Sequence, residues 1–164
     1  MKGILRTAAV VPHLYLANVA KNTEAHIARM REAAEGYCAL AVFPELSLTG
    51  YTCGDLFYQR SLIEETERAI RVLTDWCPEG LVAVVGAPVL CRSVLYNCAV
   101  VLTKGRVLGV VPKTFLPNNS EFYEKRWFHP ATDLPEEGAA VLDGIVMRRG
   151  PQVFESRDGV RFGV

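Results

Sequence analysis

The chain opens with an apolar stretch, Ile4 to Val11, that stops at Pro12, the pattern of a buried strand followed by a loop. After Asn18, a natural N-cap, Val19, Thr23, Ile27, Met30 and Ala34 recur on one side of a helix while Lys21, Glu24, Arg29 and Arg31 point elsewhere, and Gly36 closes it. Cys38 to Phe43 is apolar without alternation, which predicts a strand covered on both faces. Ser61 to Glu64 has capping-box spacing and opens a second helix whose stripe is Leu62, Ala69, Leu73 and Trp76, ended by Pro78. Strands then follow one another without helices: Leu81 to Leu90, Val94 to Leu102 and Val107 to Val111, the last two joined at Lys104-Gly105. Thr114 to His129 is polar and aromatic and predicts a structured loop with room for a short helix. A further segment runs from Ala139 to Met147, and Asp158-Gly159 turns into a last strand, Val160 to Val164.

Alternation first and adjacent strands later predict an α/β layered domain, not an all-β barrel. No repeat or low-complexity linker divides the chain. Because the last apolar strand leaves a sheet edge open, the expected whole is longer than these residues. Half of the 164 residues are apolar, enough for one domain with a substantial core. Eighteen lysines and arginines balance eighteen aspartates and glutamates, so no net field draws the molecule to nucleic acid or an acidic membrane. Five scattered cysteines do not make a disulfide scaffold and suit a reducing cytoplasm. No apolar run is long enough for a bilayer, and His13, His26 and His129 lack metal-site spacing. There is no phosphate-cradling glycine loop.

Two strings carry chemistry. Phe43-Pro44-Glu45-Leu46-Ser47-Leu48-Thr49-Gly50-Tyr51 puts a carboxylate where a strand stops, and Val110-Val111-Pro112-Lys113 repeats the design with an ammonium. Hydrolysing an amide needs a nucleophile, a base for its proton, a cation or donor for the oxyanion and an acid for the leaving ammonia. Glu45 suits the base and Lys113 the cation. Glu124, a short loop beyond, suits either orienting Lys113 or holding the substrate nitrogen. Against this, a glutamate after a strand is ordinarily a cap or surface residue, and a lysine after proline a solvated one. Tyr51 and Tyr123 read as packing aromatics.

These strings resemble the first two motifs of the nitrilase, or carbon-nitrogen hydrolase, superfamily, whose members use a Glu-Lys-Cys triad. Glu45 to Phe57 (ELSLTGYTCGDLF) and Pro112 to Phe128 (PKTFLPNNSEFYEKRWF) are similar to the glutaminase domain of glutamine-dependent NAD synthetases. The resemblance implies an α/β fold, the nitrilase-like αββα sandwich, with residues 1–164 forming a carbon-nitrogen hydrolase domain incomplete at its C-terminus. It implies Glu45 as general base, Lys113 as oxyanion stabiliser and Glu124 as a second glutamate beside the lysine. Arg161-Phe162-Gly163-Val164 looks like the strand that leads into the nucleophile's turn, so the cysteine is expected just past Val164 and these residues alone are expected to be inactive. Cys53, in the loop after the glutamate, is the alternative nucleophile, but it and the other four cysteines read as packing residues. Asn119, where many such domains carry an aromatic, is a further substrate-binding candidate or simply a turn former.

The substrate implied is L-glutamine, with no cofactor for this domain. ATP and Mg are expected for a downstream synthetase domain of the same polypeptide, which would consume the ammonia, and a homo-oligomer is implied. A free-standing amidase and a non-catalytic interaction module of the same fold are the alternatives.

Overall fold

The computed structural model describes residues 5–156 and 159–164; Ile4 and Asp158, both within predicted elements, lie outside them. Five strands form one sheet in chain order: β1 (Thr7–Ala9), β2 (Leu40–Val42), β3 (Val82–Cys91), β4 (Val94–Thr103) and β5 (Arg106–Pro112). The first three are parallel and the last two antiparallel. The parallel steps need long crossovers, supplied by α1 (Val19–Glu35) and α2 (Arg60–Trp76), whereas the antiparallel steps need only tight turns. The mixed pattern of the sequence therefore translates directly into a mixed sheet.

The two faces of this sheet differ. Ala41, Ala83, Val85, Val100, Leu102 and Val110 are fully buried and share one core with Met30 of α1 and Ile70 and Leu73 of α2. Their alternates Val42, Val84 and Val101 are paired across three strands and look the other way, where Val42 stays 42% exposed. The expectation that Cys38 to Phe43 is covered on both faces is thus corrected: Val42 contributes to an open face.

Other boundaries shift for identifiable reasons. The first strand is a short edge strand of alternating exposure, not a buried run, because among the described residues only β2 pairs with it, and Val11 is exposed. Asn18 caps α1 by accepting from the Lys21 N–H, and Gly36 ends it, as the sequence indicated. Ile27 and Ala34 are only half-buried, however, and the buried stripe instead takes in Asn22, His26 and Ala33. The capping box does not form. Gln59, in extended backbone and without a side-chain cap, precedes α2, so Ser61 falls inside the first turn and Glu64 pairs with Arg60. Trp76 lies outside the core, exposed, with the Arg31 guanidinium over its ring.

After β5 the chain makes two separate hairpins. The first, β6 (Ala139–Val141) with β7 (Ile145–Met147), is tied to α2 by a bidentate Arg71–Asp143 pair at 2.9 Å. The second joins β8 (Val153–Glu155) to β9 (Arg161–Gly163), so the last strand pairs with β8 instead of extending the main sheet. Gln152 Nε2 donates to the Val110 carbonyl, and the Phe154 ring packs over Gly109 so closely that a Cβ there would sit 2.8 Å from it. No helix among the described residues is long and apolar enough to cross a membrane.

Candidate active site

Glu45 owes its position to where β2 stops. Beyond Val42 this backbone edge of β3 has no strand partner among the described residues, and the turn from Phe43 takes its place: the Phe43 N–H donates to the Val84 carbonyl and the Leu48 N–H to the Gly86 carbonyl. Leu46 adopts φ +51, which bends the chain sharply straight after the glutamate. The turn lies flat on Gly86, where an added Cβ would fall 2.3 Å from the Leu46 nitrogen and 2.4 Å from the Pro44 oxygen. Only glycine permits that approach.

Lys113 leaves the end of β5, its N–H donating to the Asn97 carbonyl at 2.8 Å and its own carbonyl accepting from Ala131 at 2.9 Å. Glu124 opens a 3-10 turn, Glu124–Arg126, which is clasped by the segment after the glutamate: Asp55 pairs with Arg126 at 2.8 Å and accepts from the Trp127 indole at 3.0 Å. The three candidates therefore converge. Lys113 Nζ donates to Glu45 Oε1 at 2.6 Å and to Glu124 Oε1 at 2.9 Å.

The partners of this ion cluster divide into an open and a closed half. Glu45, Asn97 and Lys113 line a cavity of about 640 Å³ on the open face of the sheet, walled by Val84, Val111 and Phe115. Glu124 stands behind the lysine with its side chain only 3% exposed; its Oε2 is buried without a hydrogen-bond partner among the described residues. Burial of Lys113 works against its charge, but the hydrogen bonds to Glu45 and Glu124 outweigh it and hold the lysine above its usual pKa. An ammonium so held is a fixed positive charge with one N–H left for a ligand, since two of its three protons are committed.

Two residues of the cluster escaped the sequence reading. Asn97 donates its Nδ2–H to Glu45 Oε1, the oxygen Lys113 also holds. Tyr51, expected to be a packing aromatic, donates its hydroxyl to Glu124 Oε1 at 2.5 Å, and burial together with Glu124 pushes its pKa well up. The signal for Tyr51 was its place in the same loop as Glu45; Asn97 sits inside a strand that otherwise reads as apolar. Asn119 is exposed, contributes a carbonyl to a turn closed by the Phe122 N–H, and does not line the cavity. Tyr123 packs against Trp127 with ring centroids 5.3 Å apart.

The pattern of the carbon-nitrogen hydrolase family matches residues 6–164. The chain belongs to this family. Among its relatives, the glutamine-dependent NAD(+) synthetase of Mycobacterium tuberculosis (strain H37Rv) is 43% identical over 153 residues, 93% of this chain and 22% of that protein. The synthetase of Xylella fastidiosa (strain 9a5c) is 36% identical over 129 residues, covering 78% and 24%. A solved glutamine-dependent NAD+ synthetase from Acinetobacter baumannii, in complex with adenosine diphosphate, matches with a TM-score of 0.75 and 30% identity over 92% of this chain and 25% of that one. An amidase from Nesterenkonia sp. shares the fold alone, with TM-score 0.71 and 19% identity over 97% of this chain and 54% of the other. The chain thus spans about a quarter of the length of the synthetases it matches.

Within this carbon-nitrogen hydrolase domain the cysteines are packed. Cys53 is buried, its thiol donating to the Thr49 and Gly50 carbonyls, and burial pushes its pKa up. Cys98, wholly buried in the cavity wall, is raised further for the same reason. Neither environment favours a thiolate.

Proposed function

We propose that this chain is the base-and-lysine portion of a glutamine amidohydrolase domain in a glutamine-dependent NAD synthetase, working with a cysteine supplied beyond Val164. The observation that carries the reading is the contact of Lys113 Nζ with both carboxylates beside an open cavity. Similarity to the synthetases over nearly the whole chain supports the substrate and the partner domain.

In this mechanism Glu45 takes the thiol proton as sulfur attacks the glutamine side-chain carbonyl, and the Lys113 ammonium stabilises the oxyanion. Collapse breaks the C–N bond, the proton on Glu45 passes to the departing ammonia, and a thioester remains. Water then attacks that thioester with Glu45 again as base, which releases glutamate and the thiol. Glu124, buried behind the lysine, keeps the ammonium aimed at the carbonyl. The ammonia passes to a synthetase domain of the same cytoplasmic polypeptide, where ATP and Mg serve the amidation.

The test is ammonia release from L-glutamine by the full-length polypeptide, alongside NAD formation from deamido-NAD, ATP and glutamine. Glu45→Gln and Lys113→Ala each abolish ammonia release and leave ammonia-driven NAD formation intact. Retained glutamine hydrolysis in either variant overturns the roles, and hydrolysis of simple amides without NAD formation transfers the chain to the amidases.

A further inference from the structure

The turn that carries Glu45 is gripped from beneath by a buried polar chain that begins on α1. His26 is completely buried, stacked on Phe43 with ring centroids 4.4 Å apart. Its Nδ1 lies 2.7 Å from the Asn22 carbonyl, which only accepts, so the proton is on Nδ1 and Nε2 is an acceptor. Nε2 lies 2.8 Å from the Ser47 hydroxyl, which therefore donates to it. The same hydroxyl accepts from the Gly86 N–H at 3.3 Å, directly under the glutamate. One helical turn away on α1, Asn22 donates to the Leu48 carbonyl at 3.0 Å and to the Tyr15 carbonyl at 2.8 Å. Every polar side-chain atom of Asn22, His26 and Ser47 has a directed partner, Asn22 Oδ1 accepting from the Tyr15 N–H, and the turn they hold contains the positive-φ Leu46.

We infer that His26, acting through Ser47, is a positioning residue that fixes the Glu45 turn against β3 and so sets the Glu45 to Lys113 contact. A packing role alone asks only that the space under the turn be filled. The positioning role asks for an acceptor at the place of Nε2, because without one the Ser47 hydroxyl turns away, its hold on Gly86 loosens, and the turn has freedom to relax from Leu46 outward. Glu45 is two residues from Ser47, and a shift of about 1 Å at a catalytic group costs on the order of a hundredfold in rate.

The inference rests on the amidohydrolase reading for its kinetic test, and a crystallographic arm separates the two. In the full-length protein, His26→Leu lowers kcat for glutamine about tenfold to a hundredfold with KM within about twofold. His26→Gln, whose side-chain oxygen reaches the place of Nε2, restores kcat to within about threefold of the parent. Ser47→Ala, a deletion of one atom, reproduces the His26→Leu loss and adds nothing to it in the double variant. Unchanged kcat in Ser47→Ala, or equal losses in His26→Leu and His26→Gln, overturns the inference. If His26→Leu does not fold, His26→Gln and Ser47→Ala decide it by the same criteria. If the parent releases no ammonia from glutamine, the functional reading falls instead. The crystal structure of Ser47→Ala then decides: a lengthened Glu45 to Lys113 contact supports positioning, and a retained contact of 2.6 Å refutes it.

Discussion

Asn97 donates to the same oxygen of Glu45, Oε1, that receives the Lys113 ammonium, and among the described residues no donor reaches Oε2. One carboxylate oxygen therefore holds the group in place, and in the proposed mechanism the other is the one that takes the proton. The asparagine does this from β4, a strand independent of both motif strings, and its own carbonyl fixes the Lys113 backbone at 2.8 Å. Asn97→Ala keeps the base and the lysine but frees the carboxylate to rotate. The expected result in the full-length enzyme is a fall in kcat of about tenfold to a hundredfold with little change in KM. Steady-state ammonia release checks it, and a KM effect with unchanged kcat shows that Asn97 serves substrate binding instead.

Gly86 offers a test of how the glutamate is delivered. A methyl group there meets the backbone of Pro44, Glu45 and Leu46 at 2.3 to 2.7 Å, and backbone cannot rotate out of the way as a flexible side chain does. Gly86→Ala is expected to cost about 1–3 kcal/mol in urea unfolding, the range for overpacking a tight interior. It also lifts the turn and with it Glu45. Loss of stability without loss of activity in the folded enzyme shows that the turn's height over the sheet is not what places the base.

Much of this arrangement was legible in the sequence because it is local. A strand that ends at Phe43 before Pro44-Glu45, and another that ends at Pro112 before Lys113, place both charges at strand ends whatever the remainder does. The α/β order, the Asn18 cap and the Lys104-Gly105 turn were legible for the same reason. What escaped is what depends on distant pairing. Asn97 and Tyr51 act only because β4 and the Asp55 clasp bring them to their partners. Hydrophobic periodicity passed over Asn22 and His26 because a buried polar stripe looks like a solvated one until its partners are known. The capping box failed by two residues because the 3-10 turn Gly54–Tyr58 leads into α2 and puts the N-cap at Gln59 instead of Ser61.

The two carboxylates on Lys113 make a prediction about its proton. Glu124→Gln keeps an acceptor oxygen for the ammonium and for Tyr51 but removes one negative charge, so the lysine's pKa falls toward its ordinary value. For a lysine raised by partners, the stabilisation is fully present below the ordinary value and is lost as pH climbs through the raised one. The stability difference between parent and Glu124→Gln is therefore constant near neutrality and shrinks in the alkaline range above about 10.5. Side-chain nitrogen NMR of Lys113 reads the shift directly, and an unchanged or higher pKa in the variant contradicts the pairing.

His26 carries the opposite sign and a different window. Burial is the larger influence and lowers its pKa from 6.5 to about 4, while the hydrogen bond to the Asn22 carbonyl pulls weakly the other way. Its other partners, the Ser47 hydroxyl and the Phe43 ring, are uncharged. Between those two pH values the unfolded chain binds a proton that the folded chain refuses, so stability rises with pH across the window. The contribution is complete above about 6.5, falls as the solution is acidified, and levels off below about 4, for a total on the order of 3 kcal/mol. His26→Gln has nothing to titrate there. Subtracting its urea-unfolding free energies from the parent's at successive pH values isolates the histidine from every carboxylate that also titrates in acid. A difference that slopes downward from pH 6.5 to pH 4 is the expected curve, and a flat one means that the folded ring protonates freely and the buried chain from α1 to Gly86 is not closed.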